Sequence, residues 1–481
     1  MALANSIYQA LPVWGQHAAV TSFGLYWHWL RFGPGFRASA RDYERRENYN
    51  AADWTRFQQE RLAGILGVAA DHVPYYRQTW TNAEKTAARE GRLTALPLLS
   101  KEPLRADPWS FTREDMRPLK AHVFHTSGST GTPIASIWTT REVRDSLALR
   151  EVRSARWAGV SFQMARATFS GRMVVPDPES TGPFHRYNAV EHQVYLSAFH
   201  LRPDTVAAYV GALARHRVQW LTGYAVSYYV LAKFILEQRL SPPPIRAIVT
   251  TSEKVTPEMR QVMEAGFRCK VFEEYSTVEN VVFASECPHG KLHVSPDACV
   301  LEILRPDSSP CAAGDVGEVV ATCLMRDYQP LVRFRLGDLA AWDLKPCSCG
   351  SSMPVLAEVV GRVEDVVVGP DGRQMVRFHG IFVGQPRVVE GQIVQERLDR
   401  IRVKVVGTCG FGAADEADII ARVRQRLGPR VQVVVEKVDA IPRTKNGKFK
   451  AVVSMLALAE RAEAGVCPGS ARRAPENVAA G

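Results

Sequence analysis

The densest run of chemistry-bearing residues is His125-Thr126-Ser127-Gly128-Ser129-Thr130-Gly131-Thr132-Pro133, which sets hydroxyls and glycines between two apolar runs. Such a loop suits phosphate. Gly128 and Gly131 let the backbone turn at positive φ and approach a ligand, while Ser127, Ser129, Thr130 and Thr132 add hydroxyl donors. The flanking runs 121–126 and 134–140 are β-branched or aromatic, so the loop is expected to join two strands. The nucleotide loop of ordinary NTPases differs, because it needs Gly-Lys-Ser/Thr running into a helix. Taken alone, the stretch reads equally as a solvated Ser/Gly turn.

A second candidate centre is Cys347-Ser348-Cys349-Gly350, with Cys287 and His293 upstream as Cys-x5-His. Three thiolates and one imidazole complete a tetrahedral zinc set. The Cys-x-Cys spacing is tighter than the commoner two-residue knuckle, and His289 competes with His293 for the fourth place. The chain has nine cysteines, an odd number, and no secretory signal is apparent, so reduced thiols are expected.

The elements that must position these groups follow from periodicity. After a helix expected over 141–157 and a strand-like stretch near 167–175, strands and helices alternate. Helices are expected at 206–216, 226–238 and 257–266, and strands at 219–223, 245–250 and 270–274. Alternation of this kind predicts a mostly parallel sheet covered by helices, with ligands at loops beyond the strand ends. Two such loops are 251–254, with Glu253, and 275–279, with Tyr275, Ser276 and Glu279. From 300 to about 368 short strands with glycine turns predict an antiparallel, barrel-like part, and Asp338 follows a glycine there, suited to accepting bonds from ribose hydroxyls. Beyond Gly361-Arg362-Val363-Glu364-Asp365 the chain restarts as a small α+β unit. The expected fold is therefore α/β, with domains over 1–360 and 361–462 and a disordered tail over 463–481.

Composition bounds the rest. Hydrophobic content of 46% and charged content of 23% fit a globular chain, and no run reaches the ~18–20 apolar residues of an integral membrane segment. A cytoplasmic location is expected. The net charge of +10 is spread over 60 basic and 50 acidic residues without a basic stripe. That suits anionic small molecules and gives no sign of nucleic-acid binding. Residues 1–46 mix Trp14, Tyr26, Trp27 and Trp29 with Arg31, Arg37, Arg41 and Arg45. A membrane-surface helix is one reading; an arm packed on the body is preferred, because Gly33-Pro34-Gly35 breaks the pattern.

Five ordered stretches now fit one family. TSGSTGTP at 126–133, EYSTVE at 274–279, RFRLGD at 333–338, GRVED at 361–365 and PRTKNGK at 442–448 resemble the adenylate-forming acyl-ligase superfamily. The likeness is greatest to its phenylacetate-CoA ligase branch, with the capsule-biosynthesis relatives, and covers about residues 50–455. The resemblance implies a large domain holding ATP and a small-molecule carboxylic acid, and a mobile small domain. It implies phosphate contacts from Ser127, Gly128, Ser129, Thr130 and Gly131, and adenine contacts from Glu253, Tyr275 and Ser276. Glu279 would ligate Mg2+, Asp338 would take the ribose, and Arg362 would meet ribose or phosphate. Lys448 would reach the α-phosphate during adenylation. Two departures are Ile134 where Pro-Lys is familiar and Glu364 where Asp is usual. The implied reaction makes an acyl-adenylate and passes the acyl group to a thiol, coenzyme A foremost. The alternatives are an adenylyl or acyl transferase of polysaccharide biosynthesis and a catalytically inactive nucleotide-binding scaffold. Acid-pocket walls are expected near Tyr224, Ser227 and Tyr228.

Overall fold

The computed structural model describes residues 7–126, 134–170, 174–175, 177, 180–362, 367–371, 374–375, 381–382, 385–443 and 449–456. The chain opens with helices α1 (Val13–Phe32) and α2 (Phe36–Arg46), broken at Gly33-Pro34-Gly35 as the sequence predicts, and then α3 (Ala51–His72). Asn50 caps α3 by accepting from the amides of Ala52 and Asp53. Strands β1 (Ala121–His125) and β2 (Ala135–Thr139) pair antiparallel, from Ala121 opposite Thr139 to His125 opposite Ala135. The Ser/Gly loop thus joins two strands. Thr139 and Glu142 form a capping box that starts α4 (Thr140–Arg150). The helix expected to run to 157 widens instead into a π turn over Glu151–Ala155, and Arg153 within it is fully buried.

Strands β3 (Arg166–Phe169), β4 (His185–Asn188), β5 (Gln193–Leu196), β6 (Trp220–Tyr224), β7 (Ala247–Thr251) and β8 (Lys270–Ser276) follow. Of these, β5, β3, β6, β7 and β8 lie side by side in that order and run parallel. The crossover helices are α5 (Val206–Arg215), α6 (Ala225–Glu237) and α7 (Pro257–Phe267). Successive strand residues go to opposite faces. Leu221, Ile248 and Val271 pack on Tyr209, Tyr228, Leu231 and Met263. Their neighbours Trp220, Ala247, Val249 and Phe272 belong to the opposite core, with Phe36, Tyr43 and Leu66 of the N-terminal helices. Burial on both faces explains why these strands read as continuous apolar runs.

The antiparallel strands are β9 (Phe283–Glu286), β10 (Leu292–Val294), β11 (Cys299–Leu304), β12 (Gly317–Cys323), β13 (Phe334–Trp342) and β14 (Val355–Arg362). They continue the parallel sheet, giving twelve strands in the order β11-β12-β13-β14-β10-β9-β8-β7-β6-β3-β5-β4. A ladder of β15 (Val367–Val368) and β16 (Gln374–Met375) leads to a separate sheet, β19-β18-β17-β20, made by β17 (Val388–Arg397), β18 (Arg400–Gly407), β19 (Gln432–Lys437) and β20 (Val452–Ser454). Helix α8 (Ala413–Leu427) packs on this sheet through Ile419, Val423 and Leu427, the residues that its apolar spacing predicts.

One buried ionic cluster ties the N-terminal helices to the sheet. The two carboxylate oxygens of Asp297 accept from Arg153 Nη1 at 2.5 Å and Nη2 at 2.9 Å, and Oδ2 also accepts from Arg46 Nε at 2.7 Å. Burial raises the pKa of Asp297, but the two guanidiniums outweigh it and hold the carboxyl below its usual range. Asp297→Asn leaves two buried guanidiniums without their anion and is expected to cost about 3–5 kcal/mol at neutral pH. A depressed folded pKa contributes stability above the unfolded carboxylate pKa and loses it as pH falls. The gap between wild type and variant in urea unfolding should therefore be full at pH 7 and narrow below about pH 4. A gap that stays constant with pH would refute the ionic account.

Candidate active site

The carboxyl ends of β6, β7 and β8 meet at one edge of the parallel sheet. Gly223 near the end of β6 has φ of 119°, and a Cβ there would lie 1.9 Å from the Phe169 carbonyl oxygen, so the close approach of β3 and β6 requires glycine. Glu253, just past β7, accepts from the Val226 amide at 2.9 Å, in the first turn of α6, where the helix dipole favours an anion. Its other oxygen accepts from the Phe449 amide at 3.0 Å. Phe449 follows Lys448, which lies outside the described residues together with Ser127, Gly128, Ser129, Thr130 and Gly131.

Tyr275 and Asp338, 63 residues apart, come together: the Tyr275 hydroxyl donates to Asp338 Oδ2 at 2.8 Å. Ser276 Oγ donates to Glu274 Oε1 at 3.0 Å, and Glu274 pairs with Arg150 at 3.0 Å. Asp338 stands opposite Arg362 in the β13–β14 ladder, so two separate sequence stretches become backbone neighbours. Glu279 is buried on the segment between β8 and β9. Tyr228, an expected wall of the acid pocket, lies on α6. It is fully buried, and its hydroxyl lies 2.9 Å from the carbonyl oxygens of both Ala167 and Thr222, between which its proton is shared.

Arg326 and Gln329, which the sequence reading missed, hold this edge to the hairpin. Arg326 is fully buried and donates to Ser136 Oγ at 2.8 Å, the Glu279 carbonyl at 2.8 Å and the Ile137 carbonyl, with Trp138 stacked on its guanidinium. Gln329 accepts from the Ile137 amide at 3.0 Å and donates to the Pro108 carbonyl at 2.9 Å. Glu142 completes the knot: one oxygen accepts from the Thr139 amide at 2.7 Å, the other from the Tyr328 amide at 2.8 Å. Burial lowers the Arg326 pKa, and Glu142 and Glu279 oppose that fall. Only the pairing of an arginine with a glutamine three residues on, amid apolar neighbours, could have flagged them.

The cysteine and histidine set also assembles. The ligand atoms of Cys287, His293, Cys347 and Cys349 lie within 4.8 Å of one another. Cys287 Sγ is 3.6 Å from Cys347 Sγ, and Cys349 Sγ is 3.4 Å from His293 Nε2. Tetrahedral zinc with ordinary bond lengths needs edges of about 3.8 Å between sulfurs and about 3.6 Å between sulfur and nitrogen, so the donor set fits. His293 Nδ1 lies 3.2 Å from the Met353 carbonyl oxygen, to which it can donate, leaving Nε2 free to face the sulfurs. His289 is exposed, with Nδ1 3.0 Å from Ser348 Oγ, and is not part of the set. Burial raises the thiol pKa of Cys287, and pushes that of Cys349 up to about 11. Burial also works against ionisation of Cys347, but the Cys349 amide and the neighbouring thiols hold it below its ordinary value.

Comparison with known proteins extends the picture. Residues 368–455 match the family model of the CapK C-terminal domain. The chain is 25% identical over 373 residues to protein CapK of Staphylococcus aureus, covering 75% of this chain and 80% of that protein. It is 23% identical over 451 residues to phenylacetate-coenzyme A ligase of Thermus thermophilus, covering 83% and 96%. In three dimensions it resembles 2-hydroxyisobutyryl-CoA ligase, solved in the postadenylation state with R3-HIB-AMP. The TM-score is 0.68 at 20% identity, covering 87% of this chain and 93% of that one.

The knot yields a prediction. Arg326→Met leaves the Ile137 and Glu279 carbonyls without their buried donor and is expected to lower stability by about 3 kcal/mol. Amide exchange in 121–125 and 135–139 should accelerate more than in β17 and β18. Uniform acceleration, or an unchanged unfolding midpoint, would remove Arg326 from this role.

Proposed function

We propose, from the premise that this chain is a homologue of CapK and phenylacetate-CoA ligase on the fold of adenylate-forming acyl-CoA ligases, that it activates a small carboxylic acid with ATP. One observation carries the reading. Glu253, Tyr275, Asp338 and Phe449 come from four distant stretches, yet they lie in two hydrogen-bonded pairs on strands and loops that meet beyond the parallel sheet.

In the first half-reaction a carboxylate oxygen attacks the α-phosphorus of ATP. The bond to the bridging oxygen breaks, and pyrophosphate leaves. Two anions must approach, so positive charge has to be supplied at the moment of attack. Lys448, one residue before the Phe449 amide that Glu253 holds, supplies it when the small unit is seated. Ser127 to Gly131 cradle the phosphates, Asp338 accepts from the ribose hydroxyls, and Tyr275 orients its carboxylate. Glu253 and Ser276 border the adenine, and Arg362 meets ribose or phosphate. Glu279 is the residue that would hold Mg2+, which neutralises phosphate charge when bound. In the second half-reaction the sulfur of coenzyme A attacks the acyl carbon and AMP departs. A second reading changes only the acceptor, to an amine or hydroxyl of a saccharide precursor. The match of 368–455 to the CapK C-terminal domain favours it.

Lys448→Ala is expected to slow acyl-adenylate formation by about 100-fold or more while ATP binding persists. A pyrophosphate-release screen over aromatic and aliphatic acids, with and without coenzyme A, reads both half-reactions. A variant at full speed removes Lys448 from catalysis, and release that no thiol accelerates selects the second reading.

We further propose that Cys287, His293, Cys347 and Cys349 hold one structural zinc ion. Four protein ligands leave no open position for a water nucleophile, so its part is to fasten the β9–β10 hairpin to the turn entering β14. Elemental analysis of protein purified without chelator should give about one zinc per chain. Cys347→Ser should lose the metal and melt earlier. Folded, active protein containing no zinc would return the set to reduced thiols.

A further inference from the structure

Helix α1 has two apolar faces, and only one is covered. Its inner face is fixed by specific contacts. Gly24 lies so close to Asn188 of β4 that a Cβ would approach its Oδ1 to 2.2 Å. Gln16 accepts from Arg186 Nε at 2.6 Å, His17 Nδ1 accepts from the Tyr187 amide at 2.9 Å, and Arg31 pairs with Glu191 at 2.8 Å. The helix therefore cannot roll. Its outer stripe, Trp14, Ala18, Ser22, Leu25 and Trp29, follows the helical repeat and faces outward, with Trp14 75%, Leu25 61% and Trp29 54% exposed. A twenty-residue surface helix ordinarily carries charge on that side; here Arg31 is the one charged residue in its whole length.

Charge decides what covers the stripe. No Asp or Glu precedes Asp42 in the sequence, whereas Arg31, Arg37 and Arg41 do, and Arg37 and Arg41 are exposed. Three cations sit over aromatic rings of this one helix: Arg31 4.8 Å from the Trp27 centroid, Lys120 4.6 Å from Tyr26 and Arg144 4.9 Å from Trp29. Two copies meeting here would oppose like charges. Indole rings beside arginine, with no acid on the helix itself and Glu191 buried in its pair with Arg31, match the headgroup level of an anionic bilayer. No helix among the described residues is long and apolar enough to cross a membrane.

We propose that α1 docks the protein on an anionic lipid surface, lying in its plane with Trp14, Leu25 and Trp29 inserted among the headgroups and Arg37 and Arg41 drawn to lipid phosphates. The arm packs on the body, as expected from Gly33-Pro34-Gly35, and also presents a membrane-surface face. This inference is independent of the reaction proposed above, because it concerns residues outside the candidate active site.

Full-length protein is sedimented with vesicles of equal phosphatidylglycerol and phosphatidylcholine, and with phosphatidylcholine alone. Binding to the mixed vesicles is expected to be at least about tenfold tighter, with blue-shifted tryptophan emission, and to weaken in high salt. The triple variant Trp14→Ser, Leu25→Ser, Trp29→Ser should lose at least about tenfold of that binding, with far-ultraviolet circular dichroism unchanged. Arg37→Glu with Arg41→Glu should weaken binding to mixed vesicles only. Equal partition to both vesicles, or undiminished binding by the triple variant, overturns the proposal. So does a dimer that the triple variant abolishes in a protein without vesicle affinity.

Discussion

The buried guanidinium of Arg326 is the constraint on which the candidate site depends. A charge without water must be surrounded by acceptors, and those it finds belong to separate parts of the fold: Ser136 and Ile137 of the hairpin and the carbonyl of Glu279 beyond β8. Glu142 and Gln329 add bonds between the same pieces. A hairpin standing alone is marginal in water, and this two-stranded sheet is separate from the twelve-stranded one. Its position relative to the parallel strands is therefore set by polar bonds from the 325–332 segment as well as by packing.

The continuity of the large sheet has a similar consequence. Asp338 on β13 and Tyr275 on β8 are separated by β14, β10 and β9, yet their side chains bond across that distance at 2.8 Å. Twist and the bulges in the β13–β14 pairing must bring the two ends round to face each other. The Cys and His cluster stands within this stretch of sheet, where β10 pairs with both β9 and β14. The proposed zinc, by holding Cys287, His293, Cys347 and Cys349 together, would limit how far β14 can shear against β10, and Arg362 lies at the end of β14.

Much of this was legible because it is periodic or local. The hairpin, the alternating strands and helices, and the face of α8 follow from side-chain spacing, and the chain breaks at Gly33-Pro34-Gly35 for reasons confined to those residues. The Cys and His set, His293 included, was legible from spacing and ligand chemistry, with His289 left as a competitor. His293 is buried on β10 and His289 lies exposed beside the turn before it, a difference of environment that ligand spacing does not encode. Arg326 was missed because, apart from Gln329 three residues on, its partners lie 190, 189 and 47 residues away, with no repeat to mark them. The π turn at Glu151–Ala155 was missed for a related reason. Its sequence has ordinary helix formers, and what the turn achieves, the burial of Arg153 against Asp297, depends on a residue 144 positions later. The hydroxyl partners of Tyr228, the Ala167 and Thr222 carbonyls, were not legible either, because one of them lies 61 residues away.

The junction between the body and the β17–β20 unit is of a different character from the knot. Among the described residues the contacts there include an apolar patch, in which Leu339 and Val360 meet Val368 with Val316 and Leu398 alongside, the packing of Val389 on the core beneath α6, and polar bonds. Two of those bonds use backbone atoms of the small unit: Lys233 Nζ donates to the Val388 carbonyl at 3.1 Å, and Glu253 accepts from the Phe449 amide. Backbone partners are interchangeable along a chain, and water replaces them at a net cost of only about 0.5–1.5 kcal/mol for an ordinary hydrogen bond. The N-terminal helices, in contrast, are tied to the large sheet by buried ionic groups whose disruption costs several times as much. Under the reaction proposed above, a unit that seats Lys448 for one half-reaction and withdraws it for the next would use this asymmetry: a body tied by buried charge, and a partner whose described polar bonds to it include ones that solvent can exchange.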